Sequence, residues 1–286
     1  MAPFHTILVF DSGLGGLTVH AEIMRRMPHA HCIYIADDAA FPYGALPSDQ
    51  LIHRVHSVMQ PAIETFTPDI VVIACNTAST ICLPSLRGAF SSPFVGTVPA
   101  VKPAAAISRT RTISVLGTPG TVTREYTHDL IIAHAADCRV TLVGAPNLAT
   151  LAEAYLRGES VSDKAVLAEI LPCFKERDGM KTDAIALACT HYPLLMDVYR
   201  RVAPWEVAWI DPAPAIAKQV ETVLARQMVC PEQGEAHHFL SGLACFTSGR
   251  QPTAPLAAML AKRNLKATQS FLLPFARLSG CARLSS

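Results

Sequence analysis

Two copies of one local pattern constrain the fold more than any other feature of the chain. Asp69-Ile-Val-Val-Ile-Ala-Cys-Asn-Thr-Ala78 and Asp183-Ala-Ile-Ala-Leu-Ala-Cys-Thr-His-Tyr192 each open on an Asp and run through a short apolar stretch. Each closes on a Cys followed by hydrogen-bonding residues. An apolar run of that length, bounded by polar residues, suits a buried strand of a parallel sheet. Cys75 and Cys189 then fall at the carboxyl ends of their strands, where open α/β sheets place ligands. Two thiols presented by two similar halves can face each other across one cleft. That suits a reaction in which one group takes a proton from one face of a carbon and a second returns a proton to the other.

The rest of the sequence continues the alternation. Ile7–Phe10, Cys32–Ala36, Ile70–Ala74 and Val95–Val98 read as strands of a first half. Thr112–Leu116, Val140–Val143, Ala184–Ala188 and Val207–Ile210 read as strands of a second. Leu51, Val55, Val58, Met59, Ile63 and Phe66 recur at helical spacing in the first half, and Val166, Leu167, Ile170, Leu171 and Phe174 in the second. Such alternation predicts βαβ units and mainly parallel sheets flanked by helices. The halves also share a glycine-bearing strand-to-helix turn, Phe10-Asp-Ser-Gly-Leu-Gly-Gly-Leu17 and Leu116-Gly-Thr-Pro-Gly-Thr-Val122. The expected architecture is α/β with two similar lobes and a cleft between them. The first lobe comprises residues 1–97 and 210–286, and the second residues 98–209. Ile216, Val220, Val223 and Leu224 mark a helix of the returning segment.

Bulk properties narrow the function. The chain has 286 residues, half of them hydrophobic and 16% charged, with a formal charge of +1. It is long enough for two cored lobes, and its charge gives no global case for nucleic acid or an acidic membrane surface. No apolar stretch approaches the roughly 20 residues of a membrane span, and no secretory leader is visible. The nine cysteines contain no Cys-x-x-Cys pair of the kind that builds zinc sites, and reduced cytoplasmic thiols are expected. Arg250, Lys262, Arg263, Lys266, Arg277 and Arg283 fall in an acid-free stretch from residue 236 to 286. We read that stretch as a solvated terminal segment rather than a basic contact surface.

A lone strand-end cysteine is more often a small core hydrophobe than a catalyst, and Cys32, Cys82 and Cys173 are read so. Matching positions in a repeat point Cys75 and Cys189 the other way. A free thiol ionises near pH 8.5, so hydrogen-bond partners must tune it, with Thr77 and His191 close in sequence. Asp11 is either a helix N-cap for the segment beginning near Gly16 or a polar group at the cleft floor. Its Gly-Leu-Gly-Gly neighbours do not form a dinucleotide fingerprint, and Asp11 would repel a phosphate. Asp37-Asp38-Ala-Ala-Phe-Pro-Tyr-Gly44 is turn chemistry in which Gly44, beside Tyr43, can offer its N–H to a carboxylate. His191 near Cys189 could also suggest a Cys–His hydrolase, but that leaves Cys75 unexplained.

These blocks together resemble the glutamate racemase family, within the cofactor-independent aspartate/glutamate racemases. The resemblance runs from about residue 7 to 264. It is carried by Asp11-Ser-Gly13, Pro42-Tyr-Gly44, Ala74-Cys-Asn-Thr-Ala78, Val98-Pro-Ala-Val-Lys-Pro103, Gly117-Thr-Pro-Gly-Thr121 and Cys189-Thr-His-Tyr-Pro-Leu-Leu195, with Pro146 and Glu153. Thr97 and Arg250 depart from it, outside the catalytic blocks. The resemblance implies that Cys75 and Cys189 are the two acid/bases, assisted by Asp11, His191 and Glu153. Ser12, Tyr43, Gly44, Asn76, Thr77, Thr118, Thr121 and Thr190 would surround the substrate, L- or D-glutamate. It further implies an isomerase needing no cofactor or metal, active in the cytoplasm. Such an enzyme supplies D-glutamate to peptidoglycan synthesis, and so to cell-wall biogenesis and cell shape. No nucleic acid or membrane partner is expected, and a homodimer is compatible with the sequence.

The residues leave other readings open. Aspartate racemase or a related two-cysteine isomerase would use the same blocks, although His191 favours glutamate by resemblance. A hydrolase would need Cys189 alone. A solute-binding module would share the two lobes but is typically exported.

Overall fold

In the computed structural model, which describes residues 5–226 and 242–268, strands and helices alternate along the chain. The strands are β1 (Thr6–Asp11), β2 (His31–Ala36), β3 (Ile70–Ile73), β4 (Phe94–Gly96), β5 (Thr112–Gly117), β6 (Arg139–Gly144), β7 (Glu176–Arg177), β8 (Met180–Lys181), β9 (Ala184–Ala188), β10 (Ala208–Ile210), β11 (Gly242–Phe246) and β12 (Leu265–Thr268). One sheet has the order β12-β11-β2-β1-β3-β4 and a second the order β10-β9-β5-β6. Every neighbouring pair in both is parallel. β7 and β8 form a separate antiparallel hairpin.

Alternation along the strands explains why helices cover both faces. Ile7 and Val9 enter one core with helices Leu17–Arg26 and Ala213–Arg226, whereas Leu8 and Phe10 enter another with helices Ser48–Phe66 and Asn76–Ala89. In the four-stranded sheet, Ile185 and Leu187 face the core of Leu148, Val166 and Tyr199. Ala184, Ala186 and Ala188 face helix Val101–Ile107, where small side chains admit close packing. Each fully buried Val, Leu or Ile contributes about 1.5–3 kcal/mol, so these four cores dominate the fold's stabilisation.

The Asp that opens each repeated segment ties strand starts together. Asp69 Oδ2 accepts the backbone N–H of Thr6 at 2.7 Å, joining the edge of β3 to β1. Asp183 accepts from the Ser108 hydroxyl and the Arg109 and Thr110 backbone N–H groups, at 2.6, 2.7 and 3.0 Å.

Some boundaries differ from expectation. β4 ends at Gly96 rather than Val98 because Thr97 N–H donates to Ser79 Oγ and Pro99 has no donor. The helix with Val166 ends at Ile170, where the chain tightens into the 3-10 turn Leu171–Cys173 and Pro172 has no N–H to continue the α-helical ladder. Leu171 is exposed, while Phe174 lies beyond a 3-10 turn against Trp205 and Trp209. Arg250, Lys262 and Lys266 are exposed and Arg263 partly buried; Arg277 and Arg283 lie outside the described residues.

Candidate active site

Cys75 directly follows β3's last apolar residues and begins helix Asn76–Ala89; Cys189 directly follows β9. Both are buried. The parallel strands deliver them, because a strand-to-helix crossing always leaves its connecting residues at the carboxyl edge. Cys75 Sγ donates to Ser12 Oγ at 3.8 Å, and Cys189 Sγ lies 3.8 Å from His191 Nδ1. Burial pushes the Cys75 thiol far above its ordinary range, with Asp11 and Cys189 adding to the rise. The two thiols are near enough to sense each other.

The surroundings of Cys189 differ. His191 Nε2 stands 3.0 Å from Glu153 Oε1 and 3.9 Å from Asp11 Oδ2. Burial opposes a charge on His191, but hydrogen bonds to Cys189 and Glu153 and the charge of Asp11 together raise it well above the ordinary histidine range. Gly15 N also approaches Nε2, at 3.2 Å. One nitrogen cannot donate to Glu153 and accept from Gly15 together. The charged carboxylate is the stronger partner, so the proton sits on Nε2 and points to Glu153. Burial alone would raise Glu153, yet the His191 bond, the Leu14 N–H and the Arg157 guanidinium hold it below the usual carboxylate range. Asp11 is raised by its complete burial, partly offset by His191.

Asp11 ends β1 rather than capping the next helix, whose N-cap is Gly16. Its Oδ2 nonetheless accepts the Gly16 N–H at 3.0 Å and Gly13 N–H at 3.3 Å, while Oδ1 is buried without a partner. Asp11 is therefore not the N-cap, although its carboxylate ties the turn that leads into that helix. The glycines of this turn are explained by close approach. A Cβ on Gly13 would fall 2.3 Å from Glu153 Oε1, and one on Gly15 would fall 2.4 Å from His191 Nδ1. The turn after β1 is pressed against two side chains brought by the other sheet.

Asn76 is buried with neither amide atom paired, which leaves one donor and one acceptor beside Cys75 for a ligand. Thr77 is buried next to it. Thr118 and Thr121 share a hydroxyl bond of 2.9 Å, and Gly44 faces Thr118 across the gap between the sheets. The buried Thr190 accepts a bond from Thr18 Oγ1 through its carbonyl at 3.4 Å. Tyr43 is fully buried and its hydroxyl is committed to Asp37 Oδ2 at 2.5 Å, so it presents a ring rather than a donor. Asp37 also takes Arg54 and Thr247, locking the ends of β2 and β11 together. Sequence reasoning missed Arg157, which pairs with Glu153, and Phe41, whose ring lies 5.4 Å from that of His191. The i, i+4 spacing of Glu153 and Arg157 was the available signal for the first.

A model of the Asp/Glu/hydantoin racemase family matches residues 18–220. Glutamate racemase of Brucella canis is 51% identical over 253 residues, covering 88% of this chain and 90% of that protein. Glutamate racemase of Agrobacterium fabrum is 51% identical over 245 residues, covering 85% and 88%. Among solved structures, Escherichia coli glutamate racemase with L-glutamate and the activator UDP-MurNAc-Ala superposes with a TM-score of 0.84 at 36% identity, covering 93% of this chain and 97% of that one.

Proposed function

Because the chain belongs to the Asp/Glu/hydantoin racemase family, we propose that its cleft binds glutamate and that Cys75 and Cys189 exchange the α-proton from opposite faces. The activity is that of a glutamate racemase, an isomerase supplying D-glutamate for peptidoglycan synthesis. The observation that carries the site reading is the placement of two buried thiols after matching strands of two parallel sheets, each with different hydrogen-bond partners.

In the L-to-D direction the Cys189 thiolate, beside the His191 imidazolium, removes the α-proton. The electron pair passes into the α-carboxylate, and the Cys75 S–H delivers its proton to the opposite face. Cys75 ends as thiolate and Cys189 as thiol, so charge and protons balance. D-glutamate runs the same steps in reverse, with Asp11 and Ser12 beside Cys75. Fixed donors favour the charge that grows on the carboxylate. The Asn76 amide, the N-terminal turn of its helix, Thr77, Thr190 and the Thr118–Thr121 turn are the proposed donors, with Gly44 and the Tyr43 ring as walls.

We propose lobes of residues 1–97 with 210–286 and 98–209, supported by the sheet each described strand joins, save that Ile210 still pairs within β10 of the second sheet. No described helix is long and apolar enough to cross a membrane. A cytoplasmic location and independence from cofactors complete the proposal. The decisive assay follows optical rotation of L- and D-glutamate, with aspartate in parallel and no added cofactor. Decay of both glutamate enantiomers is expected; racemisation of aspartate alone would reject glutamate as substrate.

A further inference from the structure

Glu153 has two oxygens with separate duties. Oε1 holds His191 Nε2 at 3.0 Å and accepts the Leu14 N–H. Oε2 is met by Arg157 Nη2 at 3.1 Å, one helical turn further along Leu148–Leu156. Arg157 itself caps that helix: its N–H donates to the Glu153 carbonyl at 3.0 Å, and its own carbonyl receives Thr253 Oγ1 at 3.5 Å. Thr253 precedes helix Ala254–Lys262, which belongs with the six-stranded sheet through β12. The Arg157 backbone is therefore held from both parts of the molecule, while its side chain is 26% exposed at the edge of the site.

We propose that Arg157 is a positioning residue for the Cys189 half of the reaction: it fixes Glu153 Oε2, so that Oε1 stays on His191 Nε2 and the opposite ring nitrogen stays turned to the Cys189 sulfur. Four groups in succession, Arg157–Glu153–His191–Cys189, run from the partly buried edge to the thiol. A carboxylate held by one oxygen alone rotates about its terminal torsion, which is broad. A guanidinium on the second oxygen removes that freedom and also favours the ionised form. The ionisable groups facing Glu153 are His191 and Asp11, Tyr34 from β2, and Arg157 on its own helix. Arg157 is the cation among them that needs no proton from the reaction.

This inference rests on the racemase reading, and the test separates the two. Arg157→Met, Arg157→Gln and Arg157→Lys are compared with the unmodified chain for melting temperature, kcat and KM from each enantiomer across pH, and the pH profile of Cys189 alkylation by iodoacetamide located by mass spectrometry. Outer partners that orient an imidazole typically change function by about 10–100-fold when removed. The neutral variants should keep their melting temperature and lose about tenfold or more in kcat. The acid limb of both pH profiles should move to higher pH, because Glu153 then takes its proton more easily. Arg157→Lys should recover most of the loss. Arg157→Gln decides the matter if Arg157→Met does not fold. Neutral variants whose turnover and alkylation profiles overlay those of the unmodified chain would overturn the proposal, as would a uniform loss with a lowered melting temperature and unmoved profiles. Absence of glutamate turnover in the unmodified chain would instead reject the racemase reading, and the alkylation profiles would still judge Arg157.

Discussion

Adding one methyl group at Gly15 should disable the site without touching a thiol. A Cβ there would lie 2.4 Å from His191 Nδ1, 2.7 Å from its Cγ and 2.7 Å from its backbone nitrogen. Ordinary contact begins at 3.4 Å, so the ring must retreat by about 1.0 Å, the difference between 3.4 and 2.4. The backbone nitrogen cannot yield as a flexible side chain would. Gly15 does not hold a left-handed φ, so backbone strain is not a competing cause. Overpacking of this kind costs about 1–3 kcal/mol in stability. A displacement of about 1 Å among reacting groups can lower rate about 10²-fold, or about 2.7 kcal/mol on the barrier. Enantiomers share one free energy, so kcat/KM must fall equally from L- and D-glutamate. The assay is polarimetric racemisation from both sides, with calorimetric melting in parallel. Gly88→Ala is the control: its added Cβ meets nothing within 4 Å, and in helix Asn76–Ala89 it should stabilise by up to about 1 kcal/mol. Gly15→Ala with unchanged kcat/KM and melting temperature would refute the claim that His191's position is set by that turn.

Further outcomes are expected for the two thiols, for His191 and for metal removal. Cys75→Ala and Cys189→Ala should each abolish racemisation. In the Cys→Ser variants, solvent-deuterium exchange should depend on the starting enantiomer, Cys189 acting on L- and Cys75 on D-glutamate; exchange blind to the enantiomer would contradict that assignment. His191→Asn should lower kcat by about 10²–10⁴-fold. Because His191 is held above its ordinary 6.5, its charged contacts stabilise the fold fully below that pH and cease to do so as pH rises through the raised value. The melting gap between the unmodified chain and His191→Asn should therefore narrow at alkaline pH, and a gap that widens would defeat the assignment. Dialysis against a chelator should leave activity intact; loss that one added metal restores would show a missed metal requirement.

The repeated Asp-apolar-Cys segments made much of the architecture legible. Their apolar runs could be read as strands because both faces of each strand are buried, leaving no polar alternation to obscure them. The places of Cys75, Cys189 and His191 were readable for the same reason, since they stand at the ends of those runs, as Asp11 stands at the end of β1. The strands β11 and β12 were not foreseen. Gly242-Leu-Ala-Cys-Phe246 and Leu265-Lys-Ala-Thr268 are short, and half of the second is polar; long-range pairing to β2 and to each other makes them strands. The meeting of Gly13 with Glu153 was equally hidden, because residues 140 positions apart carry no local signature of contact. Tyr43 shows the converse. Its motif placed it at the cleft, but only the folded partner Asp37 reveals that its hydroxyl is already spent.

The strand order sends the chain from one sheet to the other between Gly96 and Thr112, and back between Ile210 and Gly242. Helix Val101–Ile107 of the first passage packs on β10, and helix Ala213–Arg226 of the second packs on β4. The two tethers therefore lie side by side, like the paired pins of a door. The crossings are not the whole attachment: Leu14 N–H on Glu153 and the Thr253 hydroxyl on the Arg157 carbonyl join the same two parts. Movement of one sheet against the other is therefore felt at Glu153, and through it at the histidine beside Cys189.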